Sequence, residues 1–214
     1  MAPYSNKIDY EIVGKNYPVM IFDNFYNDSQ VEDIWYELEG YNRTTNRQLW
    51  TSDLKDTNRA KDIKGKSLAT NERIYLDRLF QNRNTSMILY HYKKIMSPAV
   101  LQAYKSMSAP TRDVENVNRD YSMISYYTGG DKYDFHKDNA NHTALWWTYK
   151  EPKEFTGGDL VFKDGDFTID CKHNRLVMFP SFYLHASTPI KMEYDNDEER
   201  LGKYTLSHFF NINI

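Results

Sequence analysis

The sequence predicts a mainly β fold with helical support, an α+β chain whose C-terminal half forms a double-sheet jelly roll or a barrel. Three observations carry this expectation. From Tyr121 onward, short strand-like segments recur at regular intervals with no helical pattern between them. Turn residues punctuate them at Gly129-Gly130, Gly157-Gly158, Asp164-Gly165, His173-Asn174 and Pro180. Ahead of residue 116 the apolar periodicity is helical instead. The 214 residues suit a single domain, read as a support region over 1–115 and a jelly-roll core over 116–214.

Each element has its own signal. "IDYEIV" and "PVMIF" read as short strands. In "DSQVEDIWYELEG", Ser29 is the expected N-cap with Glu32 as its capping-box partner. Val31, Ile34, Trp35 and Leu38 form the apolar stripe, and Gly40 closes the helix. A second helix is expected from Asn71 through "ERIYLDRLFQ" and a third over "TSMILYHYKKIM". Ser97-Pro98 then caps and opens a fourth. The polar stretch from Tyr41 to Thr70 reads as a solvated loop, of the length that binding loops have. The later strands are "SMISYYT", "KYDFHKD", "TALWWTY", "GDLVFK", "FTIDC", "RLVMFP", "LHASTPI" and "KYTLSHFFNI".

Composition excludes several function classes. A net charge of −3 provides no general attraction to nucleic acid or to an anionic membrane. Cys171 is the only cysteine, which rules out an intrachain disulfide and reads as a small buried residue. No apolar run has the length of a membrane-spanning helix or the pattern of a signal peptide. The expectation is a soluble, intracellular protein.

The segment "YDFHKDN" carries the chemistry. Residues i and i+2 of a strand face the same way, so His136 and Asp138 project side by side. Such a pair is either an ordinary polar contact or two ligands of a metal. His185, in "FPSFYLHASTPI", is the best third ligand, because a jelly roll returns its late strands beside its first pair. Two histidines and one carboxylate with open positions opposite is the arrangement of non-haem Fe(II) oxygenases. His91, His142, His173 and His208 read as structural. On the last strand, Lys203, Thr205, Ser207 and Phe209 share a face. If that face is interior, Lys203 needs an anionic partner, and a dicarboxylate would supply one.

Taken in order, "YYTGGDKYDFHKDN", "FTGGDLVF", "RLVMFPSFYLHAS" and "GKYTLSHFF" resemble the prolyl 4-hydroxylase-like branch of the Fe(II)- and 2-oxoglutarate-dependent dioxygenases. The resemblance covers the C-terminal half; the N-terminal half is similar only as a helical support. It implies a double-stranded β-helix packed against N-terminal helices. It also implies that His136, Asp138 and His185 bind Fe(II), and that Lys203 holds the distal carboxylate of the cosubstrate 2-oxoglutarate with Thr205 beside it. Tyr126 would line the cosubstrate pocket, while Tyr133 and Phe209 would face the substrate. Trp146 and Trp147 point to opposite faces, which leaves the pocket to one of them. Ascorbate joins the implied cofactors, with dioxygen as co-reactant and a prolyl residue of a protein or peptide as the implied substrate, free amino acids and other small molecules being left open.

The stretch between His185 and Lys203 is longer than that branch usually has and contains the acidic run "EYDNDEE". If the insertion shifts the register, Arg200 becomes the cosubstrate anchor instead. An intact Asp138 favours hydroxylation over halogenation. The absence of arginine in "KYTLSHFFNI" weighs against a nucleic-acid substrate. The alternative function is a jelly-roll module that binds metal or ligand without oxygenase activity.

Overall fold

A computed structural model describes residues 8–51, 60–192 and 199–213. Among these, the elements in chain order are β1 (Glu11–Val13), β2 (Val19–Phe22), α1 (Asp28–Asn42), β3 (Glu72–Tyr75), α2 (Leu76–Leu79), α3 (Met87–His91) and α4 (Pro98–Met107). There follow β4 (Arg119–Tyr127), β5 (Tyr133–His136), β6 (His142–Thr148), β7 (Phe155–Thr156), β8 (Leu160–Phe162) and β9 (Phe167–Ile169). The last are β10 (Arg175–Pro180), β11 (His185–Ser187), β12 (Lys191–Met192) and β13 (Lys203–Asn211). The large sheet has the order β1-β2-β10-β6-β13-β4-β3, and a smaller one the order β5-β11-β8-β9; β12 and β7 pair separately. Every pairing is antiparallel. Two facing antiparallel sheets make the expected jelly roll.

Alternation along the strands sorts side chains into two cores. On one face of the large sheet, Trp146, Leu176, Met178, Tyr204 and Phe210 pack against Ile34 and Leu38 of α1 and Ile88 and Leu89 of α3. On the other, Trp147, Val177 and Phe179 meet Leu160, Phe162 and Ile169 of the small sheet. Asn174 ties the N-terminal segment to this framework. Its Oδ1 accepts from the Tyr26 N–H at 2.9 Å and the Trp146 indole at 3.0 Å, and its Nδ2 donates to the Tyr26 carbonyl at 2.7 Å.

Three local expectations are corrected. The N-cap of α1 is Asn27, not Ser29: its side chain accepts from the Gln30 N–H while Gln30 reaches back to the Asn27 N–H. Asn27 holds the extended backbone a cap requires, and Asp28 then sits in the first turn where the helix dipole favours it. Gly40 is not a terminator, since α1 runs on to Asn42 and buries Tyr41. The helix expected from Asn71 is instead β3 followed by the short α2. Paired to β4, β3 turns Ile74 into the helix-side core and Arg73 to the opposite face, a period-2 environment that overrides helix propensity. The run Glu193–Glu198 lies outside the described residues.

His208 is buried in the helix-side core, with Nδ1 at 2.8 Å from Ser122 Oγ and its ring 4.5 Å from that of Tyr92. Burial, and secondarily the Arg83 guanidinium, push its pKa from 6.5 down to about 3. The unfolded chain takes up this proton below its ordinary pKa and the folded chain does not. Stability present above pH 6.5 is therefore lost as the pH falls toward 3. Urea denaturation of His208→Gln should show a shallower acid loss in that window, by up to about 1.4 kcal/mol per pH unit. Equal slopes in the variant and the parent would place the acid sensitivity elsewhere.

Candidate metal centre

Strand pairing builds the centre. β11 runs antiparallel to β5 with His185 directly opposite His136, so two residues far apart in sequence become cross-strand neighbours. Asp138 follows at the exit of β5, where its N–H donates to the Ser181 carbonyl at 3.0 Å. The ligand atoms of His136, Asp138 and His185 lie within 4.8 Å of one another. His136 Nε2 is 3.3 Å from Asp138 Oδ1, and His185 Nε2 is 3.5 Å from Oδ2.

Each imidazole is oriented from behind. His136 Nδ1 lies 2.8 Å from the Asp134 carbonyl and His185 Nδ1 lies 2.9 Å from the Tyr183 carbonyl. A carbonyl can only accept, so each ring carries a proton on Nδ1 and turns Nε2 toward Asp138. The carboxylate is held as well: Thr143 Oγ1 donates to Oδ2 at 2.7 Å and itself lies 2.7 Å from Ser181 Oγ. Burial pushes the pKa of His185 down to about 4, against the pull of Asp138, which keeps the ring neutral at physiological pH. Burial alone would raise Asp138, but His185, His136 and Thr143 outweigh it and hold the carboxyl below its ordinary value. Two imidazoles and one carboxylate on one side of a cavity are the donor set of a divalent transition metal.

Behind the triad, the cavity between the sheets ends at Lys203, which is 2% exposed. Its Nζ donates to the Gly158 carbonyl at 2.7 Å and to Ser187 Oγ at 2.9 Å, and it lies 4.5 Å from the Tyr127 ring centroid. Among the described residues no carboxylate pairs with it. Burial lowers its pKa from the ordinary lysine value. Thr205 Oγ1, also on the cavity wall, is buried with no hydrogen-bond partner. An orphaned hydroxyl beside a buried ammonium without a counter-ion fits a bound carboxylate.

Lys203, Thr205, Ser207 and Phe209 all line this cavity, as the shared strand face requires. Tyr133 lines it too, its ring parallel to His136 at 3.4 Å between centroids. Three positions apart on a regular strand, these two would face opposite ways. A register shift in the β5–β11 pairing places both on the cavity side. Phe209 stacks on Tyr121 at 4.7 Å near the mouth.

Tyr126 is a correction. It faces the helix-side core and packs under Arg200, whose Cζ is 3.8 Å from its ring, while the next residue, Tyr127, lines the cavity opposite Lys203. One step along a strand reverses the face. Arg200 is bound to Glu72 at 2.8 Å and turned away from the cavity, so Lys203 is the cation within it. Of the two tryptophans, Trp147 lines the cavity. Sequence reasoning missed Thr143 and Ser181, which carry no motif, and Arg73, hidden by the helix assignment.

No family model matches the chain. A PKHD-type hydroxylase of Cupriavidus metallidurans is 33% identical over 85 residues, covering 32% of this chain and 36% of that protein. The chain thus matches about a third of the length of such curated relatives. A solved prolyl hydroxylase from Trichoplax adhaerens, in complex with a hypoxia inducible factor oxygen degradation domain peptide fragment, superposes with a TM-score of 0.62. The identity is 14%, over 91% of this chain and 83% of that one. An oxidoreductase of the 2OG-Fe(II) oxygenase family from Burkholderia pseudomallei gives a TM-score of 0.54 at 10% identity, over 91% of this chain and 85% of that one. Fold and triad define a jelly-roll protein of the two-histidine, one-carboxylate class. Its matched segment is similar to PKHD-type hydroxylases, and its fold is that of prolyl hydroxylases and 2OG-Fe(II) oxygenases.

Gly158 holds the turn under Lys203 at φ +75°. A Cβ there would lie 2.6 Å from Ile190 Cδ1 and 3.1 Å from Lys203 Cδ. Gly158→Ala should therefore lower stability by about 1–3 kcal/mol in denaturant titration. An unchanged midpoint would show that this turn does not clamp the lysine.

Proposed function

We propose that this protein is an Fe(II)- and 2-oxoglutarate-dependent oxygenase that hydroxylates a prolyl residue of a protein or peptide. The observation that carries the reading is the pairing, in one cavity, of the His136–Asp138–His185 triad with a buried Lys203 to which no carboxylate among the described residues is bound. When bound, Fe(II) with 2-oxoglutarate activates dioxygen, coupling oxidative decarboxylation to succinate and carbon dioxide with hydroxylation of the substrate, and ascorbate keeps the iron ferrous.

The chain's own part is to bind, orient and exclude water. His136, Asp138 and His185 hold the metal from one side and leave the side toward the cavity for exchangeable ligands. Lys203 receives the far carboxylate of 2-oxoglutarate as a point charge, and Thr205 donates the hydrogen bond its hydroxyl lacks in the free protein. Tyr127 and Trp147 close the walls around that ammonium. Tyr133 and Phe209 line both the inner cavity and the outer cleft, the place from which a substrate reaches the metal. Support for a peptide comes from the Trichoplax prolyl hydroxylase, whose solved complex contains one.

A metal-binding module without oxygenase activity has no use for Lys203 and Thr205 at the end of the same cavity. Anaerobic titration of metal-free protein with Fe(II), then 2-oxoglutarate, separates the two readings through the visible charge-transfer band of the chelate. The band should saturate in the parent, vanish in Asp138→Ala and need about 10- to 100-fold more 2-oxoglutarate in Lys203→Met. Iron binding without any band would leave the metal-binding module as the function.

A further inference from the structure

Outside the triad, a cleft of about 690 Å³ is lined by the cations Arg73, Arg78, Arg119 and Lys137. Among the described residues its two carboxylates are committed elsewhere. Asp77 pairs with Arg83 at 3.2 Å and accepts from the Ser122 N–H, and Asp138 belongs to the triad. The cleft is therefore positive although the whole chain carries −3.

Arg73 is distinctive among these cations. It is 3% exposed, its Cζ lies 5.1 Å from the Tyr133 ring centroid, and its Nε and Nη2 are buried without a hydrogen-bond partner. Other arginines with buried nitrogens have a carboxylate: Arg175 has Asp23, Arg200 has Glu72, and Arg83 has Asp77 and Asp120. Among the described residues no carboxylate pairs with Arg73, whose side chain meets Tyr133 instead. A buried guanidinium stays charged, and its orphaned donors cost free energy until an acceptor arrives. Its planar fork matches a carboxylate. Position completes the case, because the Tyr133 ring beneath Arg73 also stacks on His136. Arg73 does not line the inner cavity that ends at Lys203, so the group it receives is not the cosubstrate's.

We propose that Arg73 anchors a carboxylate of the substrate, with Arg78, Arg119 and Lys137 drawing it into the cleft. This rests on the oxygenase reading and names the substrate class for that site: a carboxylate-bearing molecule. The carboxylate is either the α-carboxylate of a free amino acid or an acidic side chain of a peptide.

The test is calorimetric binding to protein held anaerobically with Fe(II) and 2-oxoglutarate, using two matched pairs of probes. L-proline against L-prolinamide tests a free carboxylate. N-acetyl-Pro-Glu-amide against N-acetyl-Pro-Gln-amide tests an acidic side chain. At least one acid should bind about 10- to 100-fold more tightly than its neutral partner, and the pair that discriminates identifies the source. Arg73→Gln should abolish the preference and Arg73→Lys should keep part of it, both retaining the charge-transfer band. Absence of a preference in the parent protein, or its survival in Arg73→Gln, overturns the proposal. The band formed before any probe is added reports separately on the oxygenase reading. Its loss would count against that reading, whereas a normal band without carboxylate preference would count against this inference alone.

Discussion

Two hydrogen bonds to main-chain carbonyls, from His136 to Asp134 and from His185 to Tyr183, are what the rest of the site depends on. Each carbonyl sits two residues before its histidine on the same segment, so the backbone that places the ring also fixes its tautomer. Without them, either ring is free to present an N–H to Asp138, and the three donors no longer converge on one point. The cross-strand register of β5 and β11 supplies the remaining precision by setting the two rings opposite each other. Burial works in the same direction, because it keeps His185 neutral over the physiological range.

The cavity is polarised along its length. At one end, two imidazoles and a carboxylate await a cation; at the other, a buried ammonium awaits an anion. Charge at either end costs free energy at low dielectric, which a ligand of opposite charge offsets. The large sheet makes this possible by devoting one face of β13 to the cavity and the other to the helices, where Tyr204, Leu206 and Phe210 anchor the strand. A rigid wall on the helix side keeps Lys203 in place despite the cost of its burial.

Much of this was legible in the sequence because it follows from period-2 alternation. The shared face of Lys203, Thr205, Ser207 and Phe209 is a local pattern that tertiary context did not need to alter, whereas Asp138 lies beyond the end of β5 and meets His136 where the chain leaves that strand. What was not legible depended on pairing. The bulge that brings Tyr133 beside His136 is invisible in one strand's sequence. The face of Tyr126 is set by the register of β4 against β13, and β3 is a strand only because β4 offers it an edge. The Asn27 cap shows the same limit at short range, since neighbouring Asp28 and Ser29 are equally good capping residues by type.

The central claim is that main-chain carbonyls hold a proton on Nδ1 of both rings and so leave the two Nε2 atoms, beside Asp138, for a metal. Nitrogen-15 NMR of the histidine side chains in metal-free protein at neutral pH tests it most directly, with His136→Gln and His185→Gln assigning the resonances. Both rings should carry a proton at Nδ1, and their Nε2 signals should move on addition of Zn(II) while Nδ1 keeps its proton. A ring without a proton on Nδ1 in the metal-free protein, or Nε2 signals indifferent to the metal, would contradict the account.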